Sequence, residues 1–145
     1  MQNGRVYAIS ISPQRGQLKK EIPAVRVITN YGLEHDGHAG YGERQVSCLD
    51  EKSVLETNRK YGLNCGPGDF AENLLLEGLD FSRLQVGSRL TIAGSVVLEV
   101  TQLGKEDHPS IVSRTFGVSL LPHEGLFCRV VSGGIIRKGD PVEAE

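Results

Sequence analysis

Eighteen glycines divide this chain of 145 residues into short segments, and their spacing restricts the possible folds more than any other feature of the sequence. Between the glycines lie runs rich in β-branched and other apolar residues, for example "AVRVIT" (24–29), "RLTIAG" (89–94) and "FCRVVSGG" (127–134). Such runs, separated by turn residues about every ten positions, are typical of short strands. The sequence therefore predicts a mainly β fold, either a closed or partly open β-barrel or a β-sandwich, with one or two short helices.

The first predicted strand is "RVYAISIS" (5–12), in which apolar side chains alternate. Successive side chains of a strand point to opposite faces, so Tyr7, Ile9 and Ile11 are predicted to form its stronger apolar face. Further along the chain, "AGS" (93–95) separates two apolar runs. This short segment predicts the tight turn of a β-hairpin.

One helix is predicted directly after Asp50, whose carboxylate can cap the first turn. Val54, Leu55 and Tyr61 are placed on its apolar face, and Gly62 supplies a residue that can end it.

Composition and charge limit the function classes that fit the chain. Apolar residues make up 39% and charged residues 23% of the sequence, as in ordinary globular domains, and the length favours a single domain over residues 1–145. The formal net charge is −2, which argues against binding to nucleic acid through a basic face. No apolar run approaches the ~20 residues of a membrane helix, and the first residues do not resemble a secretory signal. We therefore expect a cytoplasmic protein with neither nucleic acid nor membrane as a partner.

The three cysteines are far apart and do not form a C-x-x-C motif, so they indicate neither a disulfide framework nor a zinc ribbon. Cys48 and Cys128 lie in apolar runs and are predicted to be core residues. Cys65 lies in a glycine-rich loop and is predicted to be the most exposed of the three.

The stretch "GLEHDGHAGYGERQ" (32–45) holds the densest group of potential ligand-binding side chains, namely His35, Asp36, His38 and Arg44. Two imidazoles and a carboxylate can ligate a metal, but no complete ligand set is visible, so no metal site is assigned. The polar side chains can instead hydrogen-bond the backbone of a local turn. In a third interpretation, glycine amides and the planar guanidinium bind an anion or a pterin. The sequence leaves these interpretations open.

A second polar group lies in "GKEDHPS" (104–110), directly after an apolar predicted strand. At the rim of a barrel, Lys105, Asp107, His108 and Ser110 could bind a polar ligand or move protons. The alternative interpretation is a solvated loop that ends at the proline.

A third polar group, Asp69, Glu72 and Asn73, lies in "GPGDFAENL" (66–74). We expect Glu72 and Asn73 to pin this glycine-rich loop, with direct chemistry as the alternative.

Three stretches, in this order, resemble the MOSC domain, which is named after the C-terminal region of molybdenum cofactor sulfurases. They are "GLEHDGHAGYGERQVSCL" (32–49), "GPGDFAENLLLEGLDFSRLQVGSRLTIAGSVVLEVTQLGK" (66–105) and "HEGLFCRVVSGGIIRKGDPVEAE" (123–145). The resemblance extends over nearly the whole chain and is greatest to small stand-alone bacterial members of the family.

The resemblance implies a β-barrel like the one in pyruvate kinase, with a role in molybdenum cofactor chemistry or sulfur transfer. The first stretch would line the pocket for the phosphorylated pterin. On this basis, binding of the molybdenum cofactor (molybdopterin) is assigned to His35, Asp36, His38, Arg44, Asn73, Lys105 and Asp107.

The chain departs from the family pattern in the loop that follows the "VTQ" strand. Small relatives often carry cysteines in that loop, where this chain has Asp107 and Ser110. A carboxylate or a hydroxyl cannot carry a persulfide sulfur, and both are poor substitutes for a soft thiolate ligand. Sulfur delivery by the family's usual route therefore lacks its thiol.

Three functional hypotheses follow from the resemblance and this departure. The first is a module that binds the cofactor and handles it without catalysis. The second is a sulfur transferase or molybdenum oxidoreductase, for which Cys48, His108 and Ser110 are the candidate catalytic residues. The third is a non-catalytic partner of a cofactor biosynthesis enzyme or a molybdoenzyme.

Overall fold

The central feature of the structure is a ring of seven strands that closes into a barrel. The structure is a computed structural model that describes residues 1–40 and 42–145. The strands in this part of the chain are β1 (Gln2–Ile11), β2 (Lys20–Ile22), β3 (Ala24–Ile28), β4 (Gly32–Leu33), β5 (Val46–Asp50), β6 (Leu74–Glu77), β7 (Arg89–Ile92), β8 (Val96–Leu103), β9 (Leu126–Ser132), β10 (Gly134–Arg137) and β11 (Pro141–Ala144). The prediction of a mainly β barrel is confirmed.

The ring runs in the order β1, β11, β7, β8, β9, β5 and β6, and β6 returns to β1. All of its neighbouring strands are antiparallel except β5 and β6, which are parallel. Outside the ring, β2 pairs with the end of β1, and β10, β3 and β4 form a small separate sheet. Closure leaves the ring itself without a free edge strand.

Three short helices lie in the described part of the chain, where the sequence predicted one or two. They are α1 (Glu51–Tyr61), α2 (Ile111–Phe116) and α3 (Leu121–Glu124), and a single 3₁₀ turn spans Phe81–Arg83. None of the described helices is long and apolar enough to cross a membrane.

The predicted turn at residues 93–95 is confirmed and has the geometry that a tight hairpin requires. It joins β7 to β8, and both Ala93 and Gly94 have positive φ angles, of 53° and 73°. Positive φ at both central residues is the mark of a type I′ turn, whose twist matches that of the flanking strands.

The prediction that Tyr7, Ile9 and Ile11 form one apolar face of β1 holds for Ile9 and for Ile11, which pack on the same core, but it is wrong for Tyr7. The pairing of β1 with β6 shifts register between Val6 and Ala8, so a bulge changes which side chains point inward. Val6 and Ile9 are both fully buried in the barrel core, whereas Tyr7 is 37% exposed.

Helix α1 has the predicted ends but a narrower buried face. The Asp50 side chain accepts a hydrogen bond from the Lys52 amide, and Gly62 adopts the left-handed conformation at the other end. Val54 is buried as predicted, but Leu55 and Tyr61 are each 52% exposed, so their predicted burial is wrong. The residues that the helix buries are Val54 and Thr57.

The apolar residues form two cores, one inside the barrel and one between its outer wall and the helices. Cys48 and Cys128 are fully buried in the barrel interior, as predicted. Cys65 belongs to the outer core and is 7% exposed, so it is the most exposed of the three cysteines, as predicted, but it is still a buried residue. Asn58 holds the Cys65 backbone by accepting from its N–H and donating to its C=O, both at 2.9 Å. These two hydrogen bonds fix the loop against the end of α1.

Candidate functional site

A polar cavity of about 230 Å³ lies against the outer wall of the barrel, where β5, β6 and β9 run side by side. Its apolar wall is formed by Ala71, Leu121 and Phe127. Its polar lining consists of Arg15, His38, Arg44, Ser47, Asn73, Lys105, Glu106 and His108. We call this space the cationic cavity, because three basic side chains, those of Arg15, Arg44 and Lys105, line it.

The floor of the cavity is built by hydrogen bonds between neighbouring strands. Ser47 and Phe127 are cross-strand partners on β5 and β9, and Asn73 immediately precedes β6. The buried Asn73 side chain accepts from the Ser47 backbone N–H at 3.0 Å and donates to the Ser10 carbonyl at 3.1 Å. Its amide therefore joins three strands and holds the floor rigid.

The glycine-rich loop below the floor is pinned by a buried carboxylate. Glu72 accepts from the backbone N–H groups of Gly68, at 2.8 Å, and Phe70, at 3.2 Å. Burial raises the pKa of Glu72 to about 7 against these hydrogen bonds. The predicted pinning role of Glu72 is thus confirmed.

A buried ion pair supports the side of the cavity formed by the first histidine-rich stretch. The Lys19 ammonium lies 2.8 Å from the Asp36 carboxylate, and both side chains are 0% exposed. Asp36 also accepts hydrogen bonds from the backbone N–H groups of Ser12, at 3.1 Å, and His38, at 3.2 Å. Asp36 is therefore fully engaged in shaping the loop, and it does not line the cavity.

His38 stands on this support and faces the cavity. Its Nδ1 atom lies 3.3 Å from the Lys19 ammonium. Burial, reinforced by the charge of Lys19, lowers the pKa of His38 to about 4. The imidazole is consequently neutral near pH 7.

Arg44 also lines the cavity. Its guanidinium makes two hydrogen bonds to the exposed carboxylate of Glu106, at 3.0 and 3.3 Å, and one to Gln102 at 3.1 Å. Its central carbon lies 5.5 Å from the centre of the Phe127 ring. A planar fork held in this way is suited to a carboxylate or a phosphate.

Lys105 lies near the same ring, with its ammonium 6.0 Å from the centre of Phe127. Burial and the neighbouring charge of Arg44 lower the pKa of Lys105. Arg15 adds a third cation to the lining. The lining contains three cations and one acidic side chain, Glu106, and this excess of positive charge favours an anionic ligand.

A family model for the MOSC domain matches residues 34–143. The chain belongs to the MOSC domain family. This family is associated with molybdenum cofactor binding and sulfurase-type function. The matched region contains most of the cavity lining but not Arg15.

Solved structures show the same fold at low sequence identity. The YuaD protein from Bacillus subtilis is 17% identical, with a TM-score of 0.76 over 98% of this MOSC domain and 95% of that chain. YiiM from Geobacillus stearothermophilus is 20% identical, with a TM-score of 0.76 over 98% of this chain and 75% of its own. YiiM from Escherichia coli is 20% identical, with a TM-score of 0.70 over 97% and 69% of the two chains. No curated protein matches the sequence significantly.

The structure brings only part of the predicted cofactor-binding set of this MOSC domain together. His38, Arg44, Asn73 and Lys105 line the cationic cavity. His35 lies elsewhere, with a side chain that is 82% exposed beside Glu34. The positive φ of His35, 68°, marks the turn that sends the two histidines in different directions.

Asp107 also points away from the cationic cavity. Its carboxylate pairs with the exposed His123 ring at 3.0 Å and so ties the loop after β8 to α3. Ser110 caps α2 by accepting from the Ser113 backbone N–H. Of the candidate catalytic residues, only His108 lines the cavity.

No described cysteine of this MOSC domain lines the cationic cavity. Cys48 points into the barrel interior, where its hydrogen bond with Cys128 and its burial raise the pKa of its thiol. Burial also raises the pKa of Cys65, to about 11. The environments of Cys48 and Cys65 therefore favour the thiol over the reactive thiolate.

Six lining residues were not identified from the sequence, namely Arg15, Ser47, Ala71, Glu106, Leu121 and Phe127. Arg15 lies in a stretch that carried no functional prediction, whereas Glu106 lies within the second polar group, next to residues that were named. Ser47 and Phe127 are strand residues whose role depends on the pairing of β5 with β9. Within residues 1–40 and 42–145, no cluster of three or more histidine, cysteine or acidic side chains is arranged to hold a metal.

Proposed function

We propose that this MOSC domain binds the molybdenum cofactor through the anionic part of its pterin and handles the cofactor without transferring sulfur itself. The observation that carries the proposal is the cationic cavity, in which Arg15, Arg44 and Lys105 surround a neutral imidazole donor at His38. The guanidinium groups would hold a phosphate by charge-assisted hydrogen bonds.

The residues fit the anionic end of the cofactor better than the whole molecule. The cavity volume of about 230 Å³ lies below the ~300–1,000 Å³ that small-molecule sites usually enclose. Phe127 offers an apolar ring beside the cations. We propose that the cavity encloses the phosphate and its neighbouring atoms, and that the rest of the cofactor stays accessible to a partner.

The position of the thiols is the reason for proposing that the domain transfers no sulfur. The cofactor, when bound, supplies the redox and sulfur chemistry of its metal centre, whereas a sulfur carrier must supply a thiolate of its own. Among the described residues, the cysteines are buried away from the cavity. We therefore propose that this domain stores the cofactor or passes it to a cofactor biosynthesis enzyme or a molybdoenzyme.

Anaerobic co-elution tests this proposal. Molybdenum cofactor released from a donor enzyme is mixed with the protein, and the protein peak is analysed for molybdenum by mass spectrometry and for pterin by fluorescence after oxidation. The chain has no tryptophan, so its own fluorescence interferes little with that of the pterin. We expect both signals to co-elute with the wild-type protein.

One pair of variants locates the binding, and a persulfide donor tests the thiols. Arg44→Ala should lose co-elution, whereas Arg83→Ala, at an exposed arginine outside the cavity, should retain it. A persulfide donor should leave all three cysteines unlabelled in the folded protein. Absence of both signals from the wild-type protein would contradict the proposal and favour a non-catalytic partner role instead.

A further inference from the structure

The contact between Lys19 and His38 determines which hydrogen-bonding group His38 offers to the cationic cavity. The Lys19 side chain is 0% exposed, so its ammonium group cannot turn to water. An ammonium has three N–H donors and no acceptor. It has three acceptors within reach: Asp36 Oδ1 at 2.8 Å, Ser12 Oγ at 3.2 Å and His38 Nδ1 at 3.3 Å.

This count fixes the tautomer of His38. Because the ammonium can only donate, the Nδ1 atom of His38 must accept, and it can do so only when it carries no proton. A neutral imidazole carries its single proton on the other ring nitrogen, Nε2. Within residues 1–40 and 42–145, the protein provides no hydrogen-bond partner for that Nε2–H group.

We infer that Lys19 is a positioning residue that keeps His38 neutral and protonated on Nε2, so that the cavity recognises a hydrogen-bond acceptor on its ligand at this point. The inference rests on the proposed function in one respect: the ligand is taken to be an oxyanion such as a phosphate ester. The state of the imidazole itself follows from the geometry alone.

The same contact rules out two other roles for His38. Coordination of a metal by Nε2 would require the proton to move to Nδ1, where it would point at the Lys19 ammonium. Protonation to the imidazolium would place two like charges 3.3 Å apart at a buried position. His38 is therefore neither a metal ligand nor a proton acceptor for catalysis.

The charged groups around His38 support this assignment when they are considered together. Lys19, Lys105 and Arg15 all oppose a positive charge on the ring, whereas Asp36 alone favours one. The Asp36 carboxylate is already engaged with the Lys19 ammonium and two backbone N–H groups. With burial added, these groups lower the pKa of His38 to about 4.

Nitrogen-15 NMR of histidine-labelled protein tests the tautomer without any ligand. The His38 signals are assigned by their loss in His38→Gln. We expect an unprotonated Nδ1, a protonated Nε2 and no titration of this ring between about pH 5 and 8. A ring protonated on Nδ1, or one that titrates near its ordinary pKa of about 6.5, would overturn the inference.

Binding of inorganic phosphate, measured by calorimetry, tests the recognition step. His38→Leu removes the donor and should weaken binding about ten- to hundredfold, as expected for a hydrogen bond to a charged group. His38→Gln retains an N–H donor and should recover most of this loss, while His35→Leu is the matched control and should change nothing. Equal weakening in the glutamine and leucine variants would contradict recognition through the N–H group.

The two experiments separate failure of the inference from failure of the proposed function. If the spectrum shows the Nε2–H tautomer but the wild-type protein binds no phosphate, the inference that Lys19 sets the tautomer stands, whereas the proposed function fails together with the recognition step that rests on it. If phosphate binds at Arg44 but the spectrum shows the other tautomer, the proposed function stands and the inference about Lys19 fails.

Discussion

Replacing Lys19 by methionine should destabilise the protein strongly, because it leaves a buried carboxylate without its counter-ion. Lys19 and Asp36 are both 0% exposed and lie 2.8 Å apart. Removing one partner of a buried pair typically costs about 3–5 kcal/mol. Asp36 retains two backbone N–H donors, which stabilise its charge and place the expected loss toward the lower end of that range. This loss is large against the ~5–15 kcal/mol that holds a typical domain folded.

Urea unfolding followed by circular dichroism measures this loss. With a slope of about 2 kcal/mol per molar urea, a loss of roughly 3 kcal/mol lowers the midpoint by about 1.5 M. Lys138→Met is the matched control, because Lys138 pairs with Glu21 at 3.3 Å but its side chain is 57% exposed. An exposed pair contributes only about 0–1 kcal/mol. Equal midpoints for the two variants would refute the reasoning.

Three further predictions concern the cavity and the loop beneath it. Glu106→Gln should raise the affinity for phosphate about two- to fivefold, because the carboxylate no longer competes for the Arg44 fork. Burial raises the pKa of Glu72 in the folded protein from 4.5 to about 7, so the wild-type free energy of unfolding should fall by roughly 3 kcal/mol as the pH rises from 4.5 to 7. Glu72→Gln should remove this pH dependence. Gly68→Ala should lower the unfolding midpoint clearly, because a Cβ atom there would lie 2.2 Å from the Lys19 carbonyl oxygen, at a φ of +83°.

Each of these variants has a control within the same chain. Glu34→Gln lies outside the cationic cavity and should leave phosphate affinity unchanged. Glu56→Gln replaces an exposed carboxylate and should keep the wild-type pH dependence. Gly66→Ala places its Cβ in open space and should be nearly neutral. The first prediction is contradicted if Glu106→Gln binds phosphate more weakly than wild type. The second is contradicted if Glu72→Gln keeps the wild-type pH dependence, and the third if Gly68→Ala leaves the unfolding midpoint unchanged.

Features set by neighbouring residues could be predicted from the sequence, whereas features set by pairing of distant strands could not. The ends of α1 at Asp50 and Gly62 depend on local capping, and the hairpin at Ala93 and Gly94 depends on local turn geometry. The burial of Tyr7 could not be predicted correctly, because the bulge exists only in the register with β6. Alternation along a single strand carries no information about such a shift.

The same distinction applies to the candidate site. His35 and His38 are close in sequence, but the backbone between them turns and sends only His38 to the cavity. The contacts that give His38 and Arg44 their properties come from Lys19 and Glu106, which lie 19 and 62 positions away. Residue types and short spacings can indicate a polar stretch, but they cannot show which side chains converge from separate loops.

The central claim, that the cationic cavity binds an anionic pterin cofactor, is tested most directly by anaerobic equilibrium dialysis of metal-free molybdopterin. Wild type, Arg44→Ala and the control Arg83→Ala are compared at low and at high salt. The account predicts saturable binding by wild type and Arg83→Ala, at least tenfold weaker binding by Arg44→Ala, and weakening by salt because charges are screened. Equal binding by all three proteins, or binding that does not respond to salt, would contradict the claim.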